Sequence, residues 1–232
     1  MDKILISLGN FFFKNRSFLP LFLFVLLPFF IQKEHIYEDN IFFASVLLCF
    51  LGSVIRIITT GYAIEGTSGR NRKEQIAEYL NVTGMYSMCR NPLYIGNLFV
   101  WMGLAVFTYS IIFLNIIVIF FLIFYYPIVY VEEKFLKNRF GEKYIQWKNR
   151  VPRFQFAFWY FQKSDFVFNL KRCLKNEYSG IMSISFTYLL IYTIRNYLNK
   201  TLIFDSFYLV FLIIIILCYI VRFFKKNTSL LN

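Results

Sequence analysis

Histidine is almost absent from this chain: His35 stands alone among 232 residues. That excludes a histidine-based metal centre and an imidazole-dependent catalytic triad. The four cysteines, Cys49, Cys89, Cys173 and Cys218, fall in no CxxC or other ligand spacing. They carry neither a disulfide framework nor a zinc site, and no metal partner is expected. Charge is scarce at 16% of residues, and acid is scarcer than base, with 13 Asp and Glu against 25 Lys and Arg. No glycine-rich turn joins a strand to a helix, which excludes a Rossmann dinucleotide fingerprint. No small-residue cleavage pattern follows the first apolar run, which therefore reads as a retained span.

What is present is apolar and aromatic. Hydrophobic residues make up 58% of the chain, with 31 Phe and 17 Tyr. Mean hydropathy is +0.55. Soluble domains of this length carry more charge and fewer aromatics. The composition predicts an all-α polytopic membrane protein without a separate soluble domain. The net charge of +12 lies between apolar segments. It therefore reads topology and anionic headgroups rather than nucleic acid.

Apolar runs fall at about 18–36, 41–64, 93–110, 111–131, 179–198 and 202–222. They predict six transmembrane helices, the first kinked by Pro20 and Pro28. The segment 132–176 holds eleven Lys and Arg against four Asp and Glu, and 70–90 adds Arg70, Arg72, Lys73 and Arg90. The positive-inside rule places both segments and both termini in the cytosol. Three regions follow: 1–83 with the first helices and a basic loop, 84–153 with the motifs and a helical hairpin, and 154–232 with a basic segment and two further helices.

Two polar clusters bracket the hairpin. The first is Gly84-Met-Tyr86-Ser-Met-Cys89-Arg90-Asn91-Pro92-Leu93-Tyr94-Ile-Gly96. Asn is a favoured N-cap and Pro a favoured first helical residue, so a helix starts here. Its positive end and free N–H groups suit a carboxylate or phosphate. Arg90 either adds an anion partner or anchors the span in the headgroups. Tyr86 and Tyr94 either join an interfacial aromatic belt or face a cationic cofactor. The second cluster is Glu132-Glu133, Phe140-Gly141, Tyr144 and Val151-Pro152-Arg153. Acid at the end of an apolar helix opposes the macrodipole, so either the helix continues or the pair binds a cation. The uncharged turn 108–115 returns Arg90 and Glu133 to one membrane face.

Further out, Arg56 lies inside the second run and either snorkels or meets an anionic headgroup. The loop 66–73, with Arg70 and Asn71, suits a phosphate nest or a solvated loop. Glu177 would cap the fifth span.

The ordered pair of clusters resembles the isoprenylcysteine carboxyl methyltransferase and phospholipid methyltransferase superfamily. That pattern runs Gly-x-Tyr-x-x-x-Arg-His-Pro-x-Tyr-x-Gly, then Glu-Glu-x-x-Leu-x-x-x-Phe-Gly-x-x-Tyr, then Val-Pro-Arg. The resemblance covers about 84–153, with Leu136 also matching. It implies S-adenosylmethionine as cofactor, held by Tyr86, Asn91, Pro92, Leu93, Tyr94, Phe99 and Glu133. Arg90, Glu133 and Arg153 are the expected catalytic residues; Arg56, Arg70 and Asn71, read from their charge and setting rather than from the resemblance, are the expected substrate contacts. The family histidine is Asn91 here, which removes proton transfer from that position. Ile128 and Val129 occupy the region where prenylcysteine enzymes carry arginine.

The cations and the lack of bases favour methylation of an anionic lipid headgroup within a bacterial inner membrane. A lipid phosphate oxygen, as in lipid A or a related envelope lipid, is the expected acceptor. Phosphatidylethanolamine N-methylation and prenylcysteine carboxyl methylation are the alternatives. An NADPH-dependent sterol-type reductase and a non-catalytic membrane scaffold are other classes of reading.

Overall fold

A computed structural model describes residues 2–16, 18, 20, 22–32, 39–64, 75, 77–201 and 204–228. Every regular element among them is helical. The helices are α1 (Asp2–Asn15), α2 (Phe22–Leu26), α3 (Asp39–Tyr62), α4 (Met85–Met88), α5 (Pro92–Val106), α6 (Ile111–Arg150), α7 (Leu170–Leu198) and α8 (Ser206–Asn227).

Among the described residues, three helices are long and apolar enough to cross a membrane, not six. They are α3, α6 and α8. The first apolar run does not form a span. It breaks into α2 and a 3-10 turn over Leu27–Phe30, because Pro28 sits at the start of that turn. The third run, α5, is apolar but has 15 residues, short of the ~20 that a span needs. The fifth run extends back to Leu170 as α7, whose first turns carry Lys171, Arg172 and Lys175. Outward faces of the three long helices are apolar, including Phe43, Phe50, Ile119, Ile123, Ile213 and Ile216. Lipid makes such a surface favourable.

Small residues bring α3 and α5 together. A Cβ on Gly52 would lie 2.5 Å from the Gly96 carbonyl oxygen, and one on Gly103 would lie 2.6 Å from Cys49 Sγ. Close backbone approach replaces the hydrophobic drive that lipid cannot supply. Ser45 uses that approach, donating to the Gly103 carbonyl at 2.8 Å and pairing with the Tyr188 hydroxyl at 2.6 Å. One contact thus joins α3, α5 and α7.

Sequence-encoded caps fix the hairpin. Ser110 Oγ accepts from Phe113 N at 3.2 Å and starts α6. At the same end, Arg195, 2% exposed, donates to the Phe107 carbonyl that closes α5. Its guanidinium also lies over the Phe107 and Tyr109 rings. A cation at a helix C-terminus meets the negative end of the dipole. At the opposite end, α6 runs on past Glu133 to Gly141, whose φ of 52° breaks the helical geometry before it resumes to Arg150.

These two glycines make opposite demands. Gly96→Ala puts a Cβ 2.6 Å from Arg56 Cγ and 2.9 Å from the Gly52 carbonyl oxygen. It is expected to cost about 1–3 kcal/mol by overpacking. Gly141→Ala meets nothing within 4 Å. Only its left-handed backbone is penalised, by about 1–2 kcal/mol. Thermal unfolding in detergent, with Arg56 variants as a background, separates the two causes: only the Gly96 effect should depend on Arg56.

Candidate active site

The two motif clusters meet. Backbone bonds join the first to the segment following α6: Gly84 N to Gln162 O at 2.9 Å, Arg90 N to Pro152 O at 2.9 Å, and Ala157 N to Met88 O at 3.0 Å. Gly84 takes a φ of 61°, a conformation that suits glycine. Side chains complete the seam. Trp147 Nε1 donates to the Tyr86 carbonyl at 3.0 Å, and Gln162 N donates to Ser87 Oγ at 2.9 Å.

Glu133 lies at the centre. Arg153 Nη2 donates to its Oε2 at 2.6 Å and Nε donates to its Oε1 at 3.1 Å. Arg90 Nη1 lies 2.9 Å from Oε1 as an ion pair. That third contact is close but not aligned. Arg90 Nε and Nη1 and the Tyr144 hydroxyl are buried without a well-formed hydrogen bond among the described residues. The carboxylate raises the affinity of the Arg153 guanidinium for its proton. So α6 continues beyond the acidic pair, and Glu133 also binds cations, which are the chain's own arginines.

Asn91 does not cap α5 with its side chain. Its Nδ2 donates instead to the Arg153 carbonyl at 3.1 Å, locking the helix start to the Val-Pro-Arg segment. Pro92 is buried and Leu93 half-buried in the first turn. The first backbone bond into α5 comes from Ile95 N to Asn91 O. The N–H groups of Leu93 and Tyr94 therefore lack an acceptor among the described residues. Tyr94 donates to Glu132 at 2.9 Å, and Arg16 lies 3.7 Å from that carboxylate. Tyr86 packs with Leu80, Tyr144 and Trp147 in a cluster outside the long apolar runs. Burial raises its hydroxyl pKa, with Glu132 and Cys89 adding to the effect. Phe99 sits two turns further along α5, about 10 Å from Pro92 by helical rise. It belongs to none of the core clusters.

Arg56 is separate from this group. It donates to Glu177 at 2.8 and 3.1 Å and to Asn97 Oδ1. Glu177 is therefore not a cap. Asn169 caps α7, its side chain accepting from Arg172 N at 2.9 Å, and Glu177 lies two turns in. Arg70 and Asn71 fall outside the described residues. Ile128 and Val129 are fully buried.

Residues 40–143 match the model of the phospholipid methyltransferase family. That segment is just under half of the chain. The family lies within the superfamily that includes the isoprenylcysteine methyltransferases, and the match points to a membrane methyltransferase. The match takes in α3, α5 and most of α6, and leaves out α7, α8 and the Val-Pro-Arg segment that grips Glu133. The chain is also similar to the cobalt-zinc-cadmium resistance protein CzcN of Cupriavidus metallidurans, 33% identical over 75 residues. That stretch covers 32% of this chain and 34% of the relative, so the chain matches about a third of that protein's length. No solved structure matches the chain significantly.

Two consequences can be measured. Glu133→Gln leaves two arginines facing each other without their carboxylate. A fully buried broken pair costs about 3–5 kcal/mol. Arg153 has a side chain 28% exposed, so a loss of roughly 2–3 kcal/mol is expected after solvent screening. Thermal melts should show the Glu133→Gln/Arg153→Gln double variant recovering part of the loss. Burial also pushes the Cys89 thiol from 9.0 up to about 12. Between these values the unfolded chain releases a proton that the folded chain keeps. Cys89 therefore contributes stability that is present below pH 9 and lost as pH rises toward 12, a slope that Cys89→Ala should flatten.

Proposed function

We propose that this chain methylates a membrane lipid from S-adenosylmethionine, at a site on the cytosolic face of a bacterial inner membrane. The observation that carries this reading is the closure of the Arg90–Glu133–Arg153 cluster against the first turn of α5. Methyltransferases of this family generally use S-adenosylmethionine. When bound, it supplies a methyl group already activated on a sulfonium.

The residues present fit that cofactor. Arg90 Nε and Nη1, the Tyr144 hydroxyl and the Leu93 and Tyr94 N–H groups are donors without good acceptors. Together they suit its carboxylate. Glu133 would receive its amino or ribose end alongside the arginines, and Tyr94 would line it. What the chain contributes is alignment and exclusion of water, which together can supply about 7–11 kcal/mol of barrier reduction.

The acceptor we infer is an oxygen that is already ionised, in particular a lipid phosphate. An amine acceptor needs a base to take its proton. Glu132, Glu133 and Glu177 are each ion-paired with an arginine, so none of the three stands free as that base. Arg90 and Arg153 both attend Glu133, which leaves one positive charge beside it for an anionic head. Arg153 and Arg90 are its partners in this reading, because Arg56 is held by Glu177. The metal resistance named for the similar protein is a property of that protein and is not carried over.

Detergent-purified protein incubated with methyl-labelled S-adenosylmethionine and total bacterial membrane lipids tests this. Label is expected in a lipid phosphate methyl ester. Label in an N-methylated phosphatidylethanolamine overturns the phosphate assignment, and no labelled lipid overturns the methyltransferase reading.

A further inference from the structure

A half-open cavity of about 240 Å³ lies between α3, α5, α6, α7 and the α2 segment. Most of its wall is apolar, with Leu27, Trp101, Phe113 and Ile184 among the lining side chains. One end is polar and holds Ser53, Arg56, Asn97 and Glu177. Part of the wall comes from α7, which lies beyond the family match, so this cavity is not defined by the matched segment alone.

The polar end is charge-balanced. Arg56 places one N–H on each Glu177 oxygen and one on Asn97. A guanidinium has five such groups. Two therefore lack an acceptor among the described residues, while Arg56 borders the cavity. An anionic head would draw Arg56 from Glu177 and leave a buried carboxylate unpaired, which is unfavourable. A cationic head would strand Arg56 in the same way. An uncharged oxygen, such as an ester carbonyl, accepts from the free N–H groups and leaves the pair intact. The volume is below the roughly 300–1,000 Å³ of drug-sized sites, so it suits one hydrocarbon chain rather than two.

This end also connects to the motif site. Asn97 Nδ2 donates to the Tyr125 hydroxyl at 3.0 Å. The Tyr125 and Tyr94 rings lie 4.7 Å apart, and Tyr94 bonds Glu132.

The geometry points to this cavity as the seat of one hydrocarbon chain of the lipid acceptor, with the uncharged linkage between chain and headgroup held at Arg56. The inference rests on the methyl-transfer reading above. The headgroup then lies past Tyr125, on the side of Arg90 and Arg153.

The test uses full-length protein in phosphatidylcholine vesicles and a monoacylglycerol with a photoreactive diazirine on its chain. Label is expected on α7 within 180–187 and on α5 within 100–105. Gly180→Phe fills the cavity from a position where a Cβ meets only Glu177 Oε2, at 3.9 Å. It should reduce labelling about tenfold and raise KM for the lipid while kcat holds. Ser183→Phe, at a second lining position, makes the same test if the first variant does not fold. Label spread along outward-facing α8, or unchanged in both variants, overturns the cavity proposal even when lipids are methylated. Label lost while KM stays constant overturns the acceptor assignment. Label as expected in a protein that transfers no methyl group overturns the methyl-transfer reading and retains a lipid-chain site.

Discussion

Glu133 gripped by two arginines is the contact on which the rest of the site depends. It joins three parts of the chain that are remote in sequence: the α5 start, the middle of α6 and the Val-Pro-Arg segment. Each partner is held a second time through its backbone. Arg90 N bonds the Pro152 carbonyl, and the Arg153 carbonyl accepts from Asn91. Charge and backbone therefore specify the same register. Removing Glu133 leaves two arginines facing each other without compensation, whereas removing either arginine leaves one ion pair, so the arrangement depends most steeply on the glutamate.

Inside the bundle, steric permission does what charge does at its end. Ser45, Cys49 and Gly52 on α3 face Gly96 and Gly103 on α5, and nothing larger fits between the backbones. That closeness sets Arg56 beside Asn97, and α7 answers with Glu177. The pair would be costly in lipid and is stable only because the helices already touch.

Much of this was legible in the sequence where local rules decide. The hairpin followed from an Asn-Pro start and an uncharged turn, and each controls only its own few residues. The nearness of Arg90 and Glu133 followed from hairpin geometry. Their direct pairing did not, because both were read as partners for a ligand rather than for each other. The number of spans was overestimated: the first run was expected to kink at Pro28 rather than break there, and the third forms only 15 helical residues. Glu177 resembled a cap because the apolar part of α7 starts two turns after its backbone does, at Asn169. Arg16 with Glu132 was not legible, because α1 carries no long apolar run and the contact is purely tertiary. A glutamate inside a helix opposite a lone intramembrane arginine is the signal that could have paired Glu177 with Arg56.

The shortness of α5 has a bearing on depth. Fifteen helical residues span about 22 Å, against a hydrocarbon layer of about 30 Å. The helix cannot touch both headgroup layers, so at least one end stops below the waterline. An end at that depth cannot rely on solvent to complete its peptide groups. Arg195 serves that need at the Phe107 carbonyl, and the Asn91–Arg153 bond holds the other end in place. On the proposed reading, a site carried on so short a helix is recessed toward the acyl chains, and a lipid reaches it by sliding sideways without being lifted out of its leaflet.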